Sequence, residues 1–202
     1  MMRVAFFISG TGGNALNLFL ACRDGAVPAE PVLVISSSAS AKGVEKLRAV
    51  GLEVVIIERK AFASDVSYSN ECFLHCERRN VDIICLCGFL KKLSIPARWT
   101  GRILNIHPGP LPHSGGAGMY GHFVHEAVLA AGASVSGATV HLADDEYDHG
   151  EILAFEPVPI QEGDTPEVLQ KRVYEAEMRL YPAALRDFIG SYSHKGNASC
   201  KS

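Results

Sequence analysis

Short apolar runs alternate along the first half of this chain with stretches of helical period. Residues 3–8 form a β-branched and aromatic run, ended by the turn Ser9-Gly10-Thr11-Gly12-Gly13 and followed by a helix-like stretch over 14–24. Residues 32–35 then predict a second strand, 42–50 a helix, 52–57 a third strand, 65–79 a helix and 81–87 a fourth strand. These strands are apolar throughout rather than alternating, so both of their faces are buried. Their alternation with helices predicts an α/β domain built on a mostly parallel central sheet with helices on both faces. Ligands of such sheets bind outside the carboxyl ends of the strands, near the switch in strand order.

Past residue 100 the rhythm changes. Strand-like runs cover 103–106, 138–142 and 152–160, with a helix over 124–131. Asp164-Thr165-Pro166-Glu167 marks the start of a final helix, because a capping residue precedes a proline at the first helical position. That helix runs towards Phe188, and Pro182 is expected to kink or divide it. Residues 1–190 therefore read as a single domain. The polar stretch 191–202 has no periodicity and reads as a disordered tail.

A chain of 202 residues with 48% hydrophobic and 20% charged positions can bury a core that needs neither disulfide nor metal. Of its six cysteines, Cys85 and Cys87 lie in an apolar run and behave as small hydrophobes. Cys72 and Cys76 stand one helical turn apart, without the Cys-x2-Cys pairing of a zinc site, so free thiols and no metal are expected. The net charge of -3 offers no field for a nucleic-acid backbone. No apolar run approaches the ~20 residues that span a bilayer, and the opening run meets Gly and Thr rather than a cleavage site. The expectation is a cytoplasmic protein with no nucleic-acid or membrane partner.

Candidate chemistry concentrates in Asn105-Ile106-His107-Pro108, taken with Asp148-His149-Gly150. If a strand closes at His107, its two-residue period sets Asn105 and His107 side by side on one face. An amide that donates a hydrogen bond beside an imidazole that carries a proton suits acyl transfer, in which a carbonyl oxygen becomes an oxyanion. A carboxylate against the imidazole would fix its orientation and hold its proton, and Asp148 is the candidate. The same residues fit a polar strand end and a solvated acidic loop, and on composition alone that blander reading is favoured. Gly12, Gly13 and Asn14 would sit at a helix N-terminus that favours an anion. The loop has no Lys-Ser or Lys-Thr, and Ala15 replaces the third glycine of a dinucleotide fingerprint. A plain tight turn explains it equally well.

Several segments together resemble the glycinamide ribonucleotide formyltransferases. They are Ile8 through Asn14, Gly88-Phe89-Leu90-Lys91-Lys92-Leu93-Ser94, Leu104 through Pro108 with Leu111-Pro112, Gly137 through His141, Tyr147-Asp148-His149-Gly150, and Arg172-Val173 through Glu177 to Tyr181-Pro182. The resemblance covers nearly everything from Arg3 to Phe188, in family order. It implies a Rossmann-like formyltransferase fold. It also implies transfer of the formyl group of 10-formyltetrahydrofolate, a cosubstrate, to the amine of 5-phosphoribosylglycinamide in de novo purine biosynthesis, by a monomer or homodimer without a metal.

Residue by residue, the family's catalytic trio falls on Asn105, His107 and Asp148. Its phosphate loop falls on Gly12, Gly13 and Asn14, and its ribonucleotide-binding glutamate on Glu177. Its folate pocket falls on Leu90, Lys91, Lys92 and Leu93 with Asn105 and Asp144, under an acidic loop that runs from Asp144 to Asp148. Lys91 and Lys92 stand where Arg and Ile are common, and Asp65 stands where many members carry an arginine that reaches the folate tail. The glycine-rich stretch 115–121 reads as a lid. The alternatives within the enzyme class are formyltetrahydrofolate deformylase and other formyltransferases of the same fold. Those carry a further module before or after the shared domain, so the small ribonucleotide acceptor is expected here.

Overall fold

The computed structural model describes the backbone of residues 1–198 and side chains through Tyr192. Seven strands form one sheet: β1 (Met2–Ile8), β2 (Ala29–Ser36), β3 (Val54–Ile56), β4 (Ile83–Leu86), β5 (Ile103–His107), β6 (Val135–Leu142) and β7 (Ile152–Pro159). Their order is β3-β2-β1-β4-β5-β6-β7, parallel from β3 through β5 and antiparallel for β6 and β7. Helices α1 (Gly13–Arg23), α2 (Lys42–Ala49), α3 (Asp65–Arg78), α4 (His122–Ala130) and α5 (Pro166–Ala198) complete the layers.

Strand β1 shows why the apolar runs do not alternate. Val4, Phe6 and Ile8 enter the core beneath α1 and α5, whereas Ala5 and Phe7 enter the core beneath α3 with Tyr68, Phe73 and Trp99. The chain leaves β1 towards β2 on one side and reaches β4 on the other, so the strand order switches between them. The loops after these two strands are joined there. Ser9 N–H donates to the Gly88 carbonyl at 3.2 Å, and Leu90 N–H donates to Ser9 Oγ at 2.9 Å. A crevice at this switch is where a ligand is expected.

The structure differs from the sequence reading at several element ends. β2 begins at Ala29, three residues before the apolar run, and the register against β1 slips between Val4 and Ala5 beside Pro31, which has no N–H for the ladder. β3 has only three residues, at the sheet edge. β6 starts at Val135, before the apolar run.

Helix α5 differs most. It passes through Pro182 undivided. Proline removes the N–H that would have bonded the carbonyl of Met178, four residues back, and the Asn17 side-chain amide donates to that carbonyl instead, at 2.7 Å. The helix also continues beyond Phe188 through Ala198, where the sequence suggested a structureless tail. Ile189 is buried, Phe188 packs against Tyr192 at 6.0 Å, and the Arg102 guanidinium lies 5.6 Å from the Tyr192 ring. The Arg102 contact comes from a residue distant in sequence, so local polarity does not reveal it. The last four residues of the expected tail, 199–202, lie outside the described residues.

Candidate active site

A cavity of about 500 Å³ opens at the carboxyl ends of β1, β4 and β5. Its walls include the glycine loop, the segment after β4, the end of β5, the glycine-rich stretch, the acidic loop and one face of α5. Every residue singled out in the sequence as catalytic, ribonucleotide-binding or folate-binding lines it. Asp65 does not. That carboxylate pairs instead with Arg59 at 2.5 Å.

At the centre, β5 delivers Asn105 and His107 as a two-residue period requires, and Asp148 arrives from the loop between β6 and β7. His107 Nδ1 lies 3.4 Å from Asp148 Oδ2, and Asn105 Nδ2 donates to Asp148 Oδ1 at 3.3 Å. His107 Nε2 lies 2.9 Å from the Ser114 carbonyl, which only accepts, so that nitrogen carries a hydrogen. Nδ1 faces the carboxylate and is the nitrogen left to exchange partners. Asp148 also accepts from Gly116 N–H at 3.1 Å. Burial by itself would raise this carboxyl, but hydrogen bonds to His107 and His141, the His107 charge and the Gly116 amide hold it well below the usual carboxylate range.

His141 was not singled out as a site residue. In the antiparallel register of β5 and β6 it stands directly opposite Asn105, as Thr139 stands opposite His107. Asn105 Nδ2 reaches His141 Nε2 at 3.0 Å, and that nitrogen is 3.5 Å from Asp148 Oδ1. His141 Nδ1 lies 2.9 Å from the Leu142 carbonyl, which fixes the ring. Thr139 Oγ1 donates to the Gly109 carbonyl at 2.7 Å, tying down the proline-rich exit from β5. The signal available in the sequence was the alternation of Thr139 and His141, which places them on one face. Their register against β5 was not readable. Asn105 Nδ2 thus has two neighbours, and the 3.3 Å contact to Asp148 is the longer one to give up to a ligand.

The glycine loop ends in Gly12, whose φ of 68° opens α1. α1 has no side-chain cap and no acidic residue in its first turn. Gly43 of α2 presses on this loop. A Cβ there would come within 2.9 Å of the Gly12 backbone, and the Gly43 N–H donates to the Gly10 carbonyl at 3.0 Å. Asn14 Nδ2 donates to Glu177 Oε2 at 2.7 Å. Burial pushes the Glu177 carboxyl up to about 7, against the opposing pull of that hydrogen bond and of the His107 charge.

Across the cavity, Leu90, Lys91 and Lys92 are exposed and Leu93 is buried. Asp145 Oδ1 accepts from Ile95 N–H at 3.0 Å, which holds the acidic loop against this segment. Asp144 accepts from Glu146 N–H and pairs with His149 Nδ1, each at 2.9 Å. The glycine-rich stretch is closed down on the centre. A Cβ at Gly115 would fall 2.7 Å from Asp148 Cβ. All five described cysteines are free thiols; burial pushes Cys72 up to about 12 and Cys22 up to about 11, and neither lines the cavity.

The chain is similar to known proteins along nearly its whole length. The family described as formyl transferase matches residues 2–185. The trifunctional purine biosynthetic protein adenosine-3 of Gallus gallus is 41% identical over 187 residues, which is 92% of this chain and 18% of that protein. The chain thus spans about a fifth of that relative's length. Among solved structures, phosphoribosylglycinamide formyltransferase from Brucella melitensis is 42% identical, with a TM-score of 0.83 over 93% of this chain and 95% of that one. Glycinamide ribonucleotide transformylase 1 from Symbiobacterium toebii is 34% identical, with a TM-score of 0.86 over 92% and 86%. With a matching family over nearly its whole length and an Asn-His-Asp centre at the strand switch, this chain belongs to the formyl transferase family.

Proposed function

We propose that this protein transfers the formyl group of 10-formyltetrahydrofolate to the amine of 5-phosphoribosylglycinamide, giving formylglycinamide ribonucleotide and tetrahydrofolate in purine (IMP) biosynthesis. The observation that carries this reading is the meeting of Asn105, His107 and Asp148 at the middle of one cavity, with an anion-ready helix terminus on one side and the Leu90-to-Leu93 segment on the other.

The neutral amine attacks the formyl carbon directly. A C–N bond forms to the acceptor, the carbonyl oxygen becomes an oxyanion, and the bond from carbon to the folate nitrogen then breaks. Asn105, released from its long contact with Asp148, donates to that oxygen, and His107 stabilises or protonates it through Nδ1. In net terms the attacking amine loses one proton and the departing folate nitrogen gains one. Asp148, ionised at neutral pH, holds His107 and helps carry that proton. No covalent enzyme intermediate is needed, and the buried thiols have no role.

The ribonucleotide lies along Gly12, Gly13, Asn14 and Glu177. The folate lies along Leu90, Lys91, Lys92, Leu93, Asn105 and Asp144 beneath the acidic loop. We place the enzyme in the cytoplasm as a monomer or homodimer acting on two small molecules, its charge of -3 being unsuited to nucleic acid. Among the described residues, no helix is long and apolar enough to cross a membrane.

The test is formyl transfer by purified protein supplied with both substrates. Formylglycinamide ribonucleotide should appear only when both are present. Release of formate from formylfolate alone would instead identify a deformylase, and no product from either incubation would end the reading.

A further inference from the structure

The first turn of α1 points unpartnered backbone amides into the cavity. Its first intrahelical bond is from Leu16 N–H to the Gly12 carbonyl at 2.9 Å, so the amides of residues 13–15 have no partner within the helix. Over this turn lies the hydroxyl of Tyr174, from the third turn of α5. It takes up the space that a side chain at Gly13 would need, which gives Gly13 a reason to be glycine that is separate from backbone freedom. Tyr174 lines the cavity and is 41% exposed. Two buried polar atoms in the same lining, Asn14 Oδ1 and His125 Nδ1, have no hydrogen-bond partner, as befits a wall completed by a ligand, and His125 is only 1% exposed.

The sign of the charges narrows the chemistry. Among the described residues, Lys91 and Lys92 are the only lysines in the lining, they stand on the segment after β4, and no arginine lines the cavity. Among the described residues, the glycine-loop end therefore has backbone amides, a helix dipole and one phenol, with no guanidinium or ammonium of α1 or α5 lining it. Such a set binds an anion through directed N–H and O–H donors.

We propose that the Tyr174 hydroxyl donates a hydrogen bond to the phosphate of the ribonucleotide and, with the α1 amides, forms a phosphate cradle that has no cationic side chain. This rests on the reading of the substrate given above. Burial and the nearby Glu177 both raise the Tyr174 phenol, which keeps its donor hydrogen in place. The neighbour at Gly13 and the free amides also explain why no acidic residue occupies the first turn.

Calorimetric titration with phosphoribosylglycinamide, which needs no formyl transfer, tests this directly. Tyr174→Phe keeps the ring and removes only the donor, and it is expected to weaken binding by roughly 10-fold or more, as loss of a hydrogen bond to a charged group does. The kcat at saturating acceptor should stay within about twofold, and the thermal midpoint should not move. The ratio of kcat/KM for the ribonucleotide to that for its dephosphorylated riboside should fall by the same factor in Tyr174→Phe. In a Lys91→Met/Lys92→Met variant it should hold within about twofold, whatever happens to folate saturation. Unchanged binding by Tyr174→Phe, an equal loss for both acceptors, or a collapse of the ratio in the lysine variant would each overturn the proposal. Wild-type protein that binds the ribonucleotide tightly, weakens on Tyr174→Phe and yet transfers no formyl group would leave the cradle standing and remove the catalytic reading instead.

Discussion

Asp148 sits at φ 56°, in the left-handed region that aspartate and asparagine enter more readily than other side chains. That geometry turns its carboxylate inward, where two imidazoles and a backbone amide meet it. Asparagine tolerates the same backbone, so Asp148→Asn removes the charge while keeping the shape. Turnover should fall ~100- to 1,000-fold, as for loss of a transition-state donor, and a near-normal rate in a steady-state assay would remove Asp148 from the mechanism. Its lowered pKa means that the stability it contributes is present above the ordinary carboxylate range and is lost only as pH falls through its folded value. Glu177 behaves in the opposite sense. Its carboxyl is raised from 4.5 to about 7, so its burial costs nothing in acid, costs progressively more as pH climbs through that interval, and stays at full cost above it. Glu177→Gln should therefore be more stable than the natural protein by about 3 kcal/mol at pH 8, and equal to it near pH 4, in urea unfolding. An advantage that does not change with pH would show that folding does not shift this carboxyl from its ordinary value.

Among the elements, α5 is held by contacts that its own sequence does not announce. Asn17 of α1 supplies the hydrogen that Pro182 withholds from Met178, and Tyr181 places its hydroxyl 3.1 and 3.0 Å from the carbonyls of Leu86 and Leu104. The helix that carries Tyr174 and Glu177 into the cavity is thus fastened to α1 and to the strands β4 and β5. Asn17→Ala would leave a part-buried carbonyl without a donor, and the expected loss is about 1–3 kcal/mol in chemical denaturation. A change of only a few tenths would mean that water takes over the bond. The glycine loop is fixed in a similar way, by Gly43 of α2 pressing on Gly12.

For the molecule as a whole, the cavity is assembled from loops after three parallel strands, one helix face and the turn between the two antiparallel strands. Ligands that bridge these pieces stabilise the folded state by mass action. At about 100 times the dissociation constant each substrate should add roughly 2.7 kcal/mol, or ~5–10 °C in the thermal midpoint of a domain this size. Scanning calorimetry with each substrate alone, then both, measures this. A midpoint that ignores phosphoribosylglycinamide and formylfolate alike would mean that the cavity holds neither.

The sequence alone determined the parallel half of the sheet, because buried strands must be apolar on both faces. It also determined the pairing of Asn105 with His107, because a strand has a period of two. The glycine loop at the head of α1 was legible for the same local reason. Only the tertiary structure decided what meets across the chain. His141 joined the centre through a register that no local pattern encodes, Tyr174 came over Gly13 from a helix 161 residues away, and α5 ran on past Phe188 because Arg102 and a neighbouring ring hold it. Periodicity fixes which face a side chain occupies; which distant residue it then meets depends on packing among elements, and that is a property of the folded chain as a whole.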